Sequence, residues 1–320
     1  MKKFAKSIFM SNVYGLSLPV KLNECRSFVD RVADFFRMAP FFVKKASLMT
    51  DHIERIKLYT VHVLSSLNFA LSRSKTFNPL LGETCQVALT DGTEIFVEQI
   101  SHHPPIASYL TIGQAFTISG HCHLEAKFNF GSSEIYQKIH QILCFKDGHQ
   151  LDFTQCPVMK MTGMASKNRY LFLKNKMVIE DKKNCVKSVI FFNLVKETKT
   201  VKRYDEFEGI IYKYKAGVAS DGKEKSIKDL KDIESEIARV NGAWTTHIEI
   251  NGINYWKIEE SKPADLIFAN NPLPSDVRFR EDLVWLKKKN IPFADAWKDS
   301  IEIRQRKDRT LRKKYFPDYE

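Results

Sequence analysis

Two adjacent imidazoles, His102 and His103, stand between a β-prone run and two prolines in Glu98-Gln99-Ile100-Ser101-His102-His103-Pro104-Pro105. Proline fixes φ and offers no N–H, so a sheet ladder does not run normally through Pro104-Pro105. The strand is expected to stop or bulge there, leaving both rings at a rim. Rings that exchange a proton near neutrality suit an anion of charge about −2, such as a phosphate monoester. A His pair that merely terminates a strand is the competing reading. Lys298, Glu302 and Arg306 form a second candidate, at i, i+4 and i+8 of a helical pattern. They drift only about 80° around a helix axis over about 12 Å of rise, so they share a face, and Glu302 can pair with either cation. Taken alone, such a ladder is usually a solvated face.

Other chemistry is less well supported. His121-Cys122-His123 places alternate residues suited to a metal on one strand face, but no plausible carboxylate or second Cys/His cluster lies nearby to complete a site, and no metal is expected. Ser101 beside His102 lacks the G-x-S-x-G elbow of a hydrolase. The 23 phenylalanines could stack bases, yet no RNP-like block is present, so no nucleic acid is expected.

The elements that must position these residues can be read from periodicity. At 320 residues with 43% apolar and 28% charged residues, the chain has the composition of a soluble globular protein, and its +12 charge favours anionic partners. Six scattered cysteines without a CxxC pair read as reduced thiols. No apolar run reaches the length of a transmembrane helix. Ser27 opens a helical pattern through Phe28, Val29, Val32, Phe35 and Phe36 up to Pro40, and Asp51 with Glu54 opens a longer one to about Ser72, within which His62 reads as a core or surface residue. Asp91-Gly92, Asp147-Gly148 and Asn251-Gly252 are hairpin signals. They separate runs at Cys85–Thr90, Thr93–Ser101, Ile106–Ile112, Ala115–Phe130, Ile135–Phe145, Val186–Val195, Phe207–Tyr214, Trp244–Ile250 and Ile253–Ile258. Many antiparallel strands joined by tight turns predict a large curled sheet or barrel. Lys223–Val240, with Ile227, Leu230, Ile233 and Ile237, predicts a charged surface helix across that sheet. Asp276–Lys289 and Phe293–Lys314 predict two C-terminal helices separated by Asn290-Ile291-Pro292.

Glu98–Pro105 resembles the EQVSHHPP fingerprint of the oxysterol-binding-protein-related family, with Ile100 in place of Val. Lys75–Thr84 is similar to that family's KPFNPLLGET block, with Thr76 in place of Pro, and Leu273–Asp282 is similar to its C-terminal LP-x-S-D-x-RFR-x-D segment. The resemblance covers roughly residues 15–316. It implies an α+β fold, mainly β with flanking helices, in which a large antiparallel, near-closed β-barrel surrounds an apolar tunnel. It also implies one domain throughout: a lid at 1–20, N-terminal helices at 27–72, the barrel at 77–260 and a C-terminal helical region at 263–320.

Carried over residue by residue, the resemblance assigns Lys75, Asn78, Glu83, His102, His103, Lys298, Glu302 and Arg306 to a phosphoinositide head-group site. Five of these are cations or imidazoles from three distant parts of the chain; converging, they would make a cup for two or more phosphates, with Asn78 and Glu83 reading ring hydroxyls. The implied function is exchange of phosphatidylinositol 4-phosphate for a sterol or phosphatidylserine between membranes. The carrier is expected to be monomeric and cytoplasmic, with no enzymatic activity and no cofactor, touching anionic membrane surfaces transiently through the basic Lys287–Lys289 and Arg309–Lys314 segments. A sensor or scaffold using the same cup is one alternative. A metal-dependent hydrolase using His102, His103, His121 and His123 is another.

Overall fold

The computed structural model describes residues 19–71, 74–129, 131–163, 170–192, 204–218 and 222–316. The expected lid, apart from residues 19 and 20, lies outside them, as does the chain end at 317–320.

The described chain opens with strand β1 (Asn23–Ser27) and three helices, α1 (Phe28–Ala33), α2 (Ala39–Ser47) and α3 (His52–Ala70). Asp51 caps α3, its carboxylate accepting from the Ile53 N–H at 2.8 Å. β2 (Lys75–Phe77) returns parallel to β1, with Asn23 opposite Lys75. There follow β3 (Thr84–Leu89), β4 (Glu94–His102), β5 (Pro105–Ile112), β6 (Phe116–Asn129), β7 (Ser132–Phe145), β8 (Gln150–Gln155), β9 (Val158–Thr162) and β10 (Tyr170–Asp181). β11 (Val186–Phe192), β12 (Glu206–Tyr214), β13 (Ile233–Ala243), β14 (His247–Ile250), β15 (Ile253–Lys257) and β16 (Leu266–Phe268) complete the strands, and α4 (Glu281–Lys287) and α5 (Ile291–Tyr315) close the chain.

Strands β3 to β16 form one antiparallel sheet in the order β15-β14-β13-β12-β11-β10-β8-β7-β6-β5-β4-β3-β16, with β9 paired to β7 and β10. All three expected hairpin turns form. At Asn251-Gly252 both central residues take positive φ, 50° and 76°, which matches the twist of the flanking strands. α3 packs on β10, β11, β14 and β15, while α1 packs on β3 and β4 from the other end of the sheet. The sheet thus curls around its helices, and Phe36, Tyr59, Leu89, Phe153, Ile248 and Trp256 belong to one core cluster. α3 is buried on nearly every side. Its polar groups are met from the sheet: Gln141 Nε2 donates to the Tyr59 hydroxyl at 2.6 Å, and Thr60 Oγ1 bonds Ser188 Oγ at 2.9 Å. His62 belongs to this core, between Tyr59 and Phe35. No described helix is long and apolar enough to cross a membrane.

Three expectations are corrected. Lys223–Val240 is not a helix: only Ile227–Asp229 makes a 3-10 turn, and β13 is paired on both edges. The helical spacing there arises because Ile227, Leu230 and Ile233 follow one another along a segment covering the outer-face residues Val189, Phe191, Ile210 and Tyr212. Pro40 does not end the first helical pattern; α1 tightens to a 3-10 turn at Asp34–Phe36, and Pro40 sits in the first turn of α2, where its missing N–H costs nothing. Asp276–Lys289 is interrupted by Arg280, which is extended (φ −63°, ψ 118°) between the 3-10 turn Val277–Phe279 and α4. The run before it contains β16, an edge strand on β3. β8, β9 and β10 are further strands that the alternation did not reveal.

Candidate functional site

The β4–β5 hairpin ends in a bulge: Gln99 faces Ala107 while Ser101 faces Ile106, so Ile100 is the extra residue, and His102 pairs with Pro105 across the His103-Pro104 turn. Both rings therefore stand at the rim, with centroids 4.7 Å apart and planes at 77°. The loop Asn78–Glu83 is fastened beside them. The Gly82 N–H donates to the Gln99 carbonyl (2.8 Å), the Gln99 N–H to the Glu83 carbonyl (2.9 Å), and the Leu80 N–H to Glu83 Oε2 (2.9 Å). Arg280 clamps the same loop from below. Its guanidinium donates to the Asn78 carbonyl (2.9 Å), to Glu83 Oε2 (2.8 Å) and through two nitrogens to Asp282 (2.7 and 3.1 Å). This clamp is why Arg280 stays extended between two helical pieces. The parallel β1–β2 pair brings Asn23 next to Lys75. α5 starts at Asn290, whose side chain accepts from the Phe293 N–H, and turns Ala294, Lys298, Ile301, Gln305, Arg309 and Arg312 inward as one stripe.

Together these elements enclose a cavity of ≈ 410 Å³. Its walls carry Lys75, Asn78, His102, His103, Lys298, Glu302 and Arg306, seven of the eight residues that the sequence proposes, and Arg280, Arg309, Arg312, Asn23 and Gln305, which it does not. Glu83 is the exception. It is buried behind the wall and serves Leu80 and Arg280. His121 and His123 do not line the cavity; His121 lies across from His140 on the sheet, ring centroids 6.2 Å apart. Asn78 and Pro79 announce a turn locally, but the role of Arg280 follows from contacts two hundred residues apart, and Arg309 and Arg312 extend the Lys298–Arg306 spacing by three and six residues.

Six lysines and arginines face two carboxylates, Asp282 and Glu302, on these walls. Lys298 Nζ donates to Glu302 Oε1 at 2.7 Å, and Arg306 lies 3.7 Å from Glu302 Oε2. Lys75 Nζ donates to Asn78 Oδ1 at 2.7 Å. Burial pushes the Lys75 amine down to about 8; Lys298 and Arg280 add to this while Glu302 opposes it. Burial likewise lowers His102 to about 4, helped by His103, Arg309 and Arg312 and opposed by a hydrogen bond to the Pro79 carbonyl. Three buried polar atoms on the walls, Asn23 Oδ1, His102 Nδ1 and Gln305 Nε2, have no partner among the described residues. Buried polar groups are otherwise almost always bonded. Excess cation and unbonded polar atoms in one recess are the physical requirements of an anionic, hydroxyl-bearing ligand.

A family model described as oxysterol-binding protein matches residues 1–319. "Oxysterol-binding protein 9" of Dictyostelium discoideum is 31% identical over 303 residues, which are 91% of this chain and 69% of that protein. "Oxysterol-binding protein homolog 1" of Saccharomyces cerevisiae is 35% identical over 127 residues, 39% of this chain and 10% of that much longer protein. Among solved structures, the Osh3 ORD in complex with PI(4)P from Saccharomyces cerevisiae superposes with a TM-score of 0.76 at 21% identity, over 97% of this chain and 84% of the other. The Osh1 ORD domain in complex with ergosterol gives 0.78 at 21% identity, over 98% and 80%. The family model spans nearly the whole chain and agrees with the relative that is 31% identical, and this chain belongs to the oxysterol-binding protein family.

Proposed function

We propose that the protein binds phosphatidylinositol 4-phosphate in the basic cavity and exchanges it between membranes for a second lipid, a sterol or phosphatidylserine. The observation that carries the reading is the convergence of Lys75, His102, His103, Lys298 and Arg306 around a recess with unbonded polar atoms. The similar folds solved with PI(4)P and with ergosterol support it. In this mechanism the monoester lies against the His102-His103 turn, where a dianion draws a proton onto His102, whose burial keeps it neutral when the site is free. Lys75 and Lys298 take the remaining charge, and Asn78 reads ring hydroxyls while holding Lys75 in place.

The acyl chains and the second lipid compete for one apolar tunnel inside the curled sheet, so loading is mutually exclusive and a phosphoinositide gradient drives the second lipid uphill. No bond is made or broken, so the protein is a carrier and not an enzyme. It works from the cytoplasm as a peripheral visitor. The exposed lysines at 287–289, 307, 313 and 314 attract an anionic leaflet by roughly 1 kcal/mol each, a pull that salt weakens.

Native mass spectrometry after incubation with vesicles of mixed lipids tests this directly. The intact protein is expected to leave with phosphatidylinositol 4-phosphate or with one second lipid, and His102→Ala/His103→Ala to lose the phosphoinositide by about tenfold or more while still folding. Retention of phosphoinositide by the double variant, or its absence from the wild type, would overturn the proposal.

A further inference from the structure

We infer that His121 and His140, facing each other across β6 and β7 on the outer face of the sheet, form a two-imidazole site for a divalent ion of the zinc–copper class, which clips the two strands together. The site lies outside the cavity and is independent of what the cavity binds.

The His121-Cys122-His123 motif lacks a second ligand in its own stretch of sequence, and the fold supplies one from nineteen residues away. β6 and β7 pair in an unbroken antiparallel register, from Phe116 opposite Phe145 to Asn129 opposite Ser132, and within it His121 stands directly across from His140. Alternation sets the faces. Cys122 and Leu124 of β6 and Gln141 of β7 are buried on the inner side, so His121, His123, Lys138 and His140 point outward. Both rings of the pair are exposed, with centroids 6.2 Å apart and planes at 40°. Neither imidazole has a hydrogen bond or ion pair among the described residues.

The polar neighbours are engaged with one another. Ser108, across from His121 on β5, donates to the Gly120 carbonyl at 3.3 Å. Lys138 pairs with Glu125, whose carboxylate also lies 3.7 Å from His123. Asp152 of β8, opposite Ile142, pairs with Lys182. Among the described residues no three His, Cys, Asp or Glu side chains gather in ligand range, so the protein contributes a pair and water fills the remaining positions.

Imidazole suits zinc, copper and nickel, whereas magnesium and calcium take oxygen ligands. Directly opposed residues of an antiparallel pair have Cβ atoms about 4.5–5.5 Å apart, the spacing at which two side chains can reach one ion. Two imidazoles about 2.1 Å from a shared ion hold their centroids roughly 4.5–5 Å apart. Closing the observed 6.2 Å by roughly 1 Å takes a rotation of exposed rings about their χ angles, while the unbroken ladder keeps the backbone in place. The position gives the clip a purpose. His123 is the last β6 residue that β5 pairs, and from Leu124 to Asn129 β6 is held by β7 alone. An ion at His121–His140 fastens the root of that extension. It serves as a structural link, and no reaction is assigned to it.

Calorimetric titration of the chelator-treated, tag-free full chain with zinc chloride, and with glycine-buffered copper chloride, tests the site. The wild type is expected to bind one equivalent at the pair, copper more tightly than zinc. His121→Gln and His140→Gln should each weaken that binding at least about tenfold, the advantage of a second linked ligand. His102→Gln/His103→Gln should stay within about twofold of wild type. Excess zinc should raise the wild-type unfolding midpoint by about 2–4 °C and leave that of His121→Gln/His140→Gln unmoved. Binding that survives in the His121/His140 double variant, or that is lost instead with His102 and His103, overturns the inference. So does a loss confined to His121→Gln, because His121 would then share the ion with some other group.

Discussion

Arg280 and the pair Arg309–Arg312 line the same cavity, but their surroundings differ in the respect that decides what a charge does. Arg280 is buried, and although burial alone disfavours its charge, Glu83 and Asp282 hold it firmly ionised. The hydrogen bonds of that guanidinium all go to the chain itself: loop 78–83 on one side, the start of α4 on the other. Arg309 and Arg312 are half-buried and make no ion pair among the described residues. A satisfied buried ion builds the wall, whereas the half-buried pair leaves its charge on the face of the cavity. Glu83 follows the same logic: it shares a sequence block with Lys75 and Asn78, yet its carboxylate is spent on Arg280 and Leu80, so it supports the site from behind.

Removing Arg280 should break this comparison most visibly. Arg280→Met leaves two buried carboxylates facing no cation, and the expected cost is about 3–5 kcal/mol in urea unfolding. Arg309→Gln/Arg312→Gln should stay within about 0.5 kcal/mol of wild type in the same measurement. A loss below about 1 kcal/mol for Arg280→Met would mean that the clamp behaves like a surface pair and that something else fixes loop 78–83.

Two histidines sharpen the contrast through pH. Burial lowers His62 to about 3 in the core and His102 to about 4 in the cavity, both from an ordinary 6.5. With fewer protons bound in the folded state, the stability contributed by neutral imidazole is complete above pH 6.5 and is lost as the pH falls toward these folded values. For fully buried His62 the loss is of order 4 kcal/mol, and His62→Gln should flatten the urea midpoint between pH 6.5 and 4. Binding should run in the opposite direction. A phosphate against His102 raises its pKa, so phosphoinositide affinity should strengthen between pH 7 and 5 while stability weakens. Parallel pH profiles for stability and affinity would sink this account of His102.

Which parts of this arrangement could be read from the sequence follows from the range of the contacts. α3 carries its own cap at Asp51, and the β3–β4 hairpin carries its own Asp91-Gly92 turn, so both are local statements. The Lys298–Glu302–Arg306 ladder is likewise fixed by helical spacing alone. β13 is different. Its spacing imitates a helix because the preceding segment covers the outer sheet face, and only pairing to β12 and β14 makes it a strand. Asn23 reaches the cavity through a parallel pairing with Lys75, fifty-two residues away, and no local pattern announces it. Arg280 sits inside a helical-looking stretch whose regularity yields to a clamp on loop 78–83. The cup was therefore visible as separate pieces, whereas the neutral or charged character of each piece depended on partners that the fold alone supplies.

Lys75 tests the boundary between the two kinds of charge, because its hydrogen-bond partners among the described residues are neutral oxygens of Asn78 and Thr76. Burial and the neighbouring Lys298 leave its amine near 8, so at neutral pH it is charged but easily discharged. An anion in the cavity removes that penalty. After reductive ¹³C-methylation, the Lys75 signal is expected to titrate near pH 8 in the free protein and to move up by about one unit or more when a phosphoinositide is bound. Lys75→Met should cost little or no stability, because it removes a desolvated cation rather than a satisfied pair, while weakening head-group binding by about 1–2 kcal/mol. If the methylated amine titrates identically with and without lipid, Lys75 belongs with Arg280 to the wall, and the ligand's charge is met farther along α5.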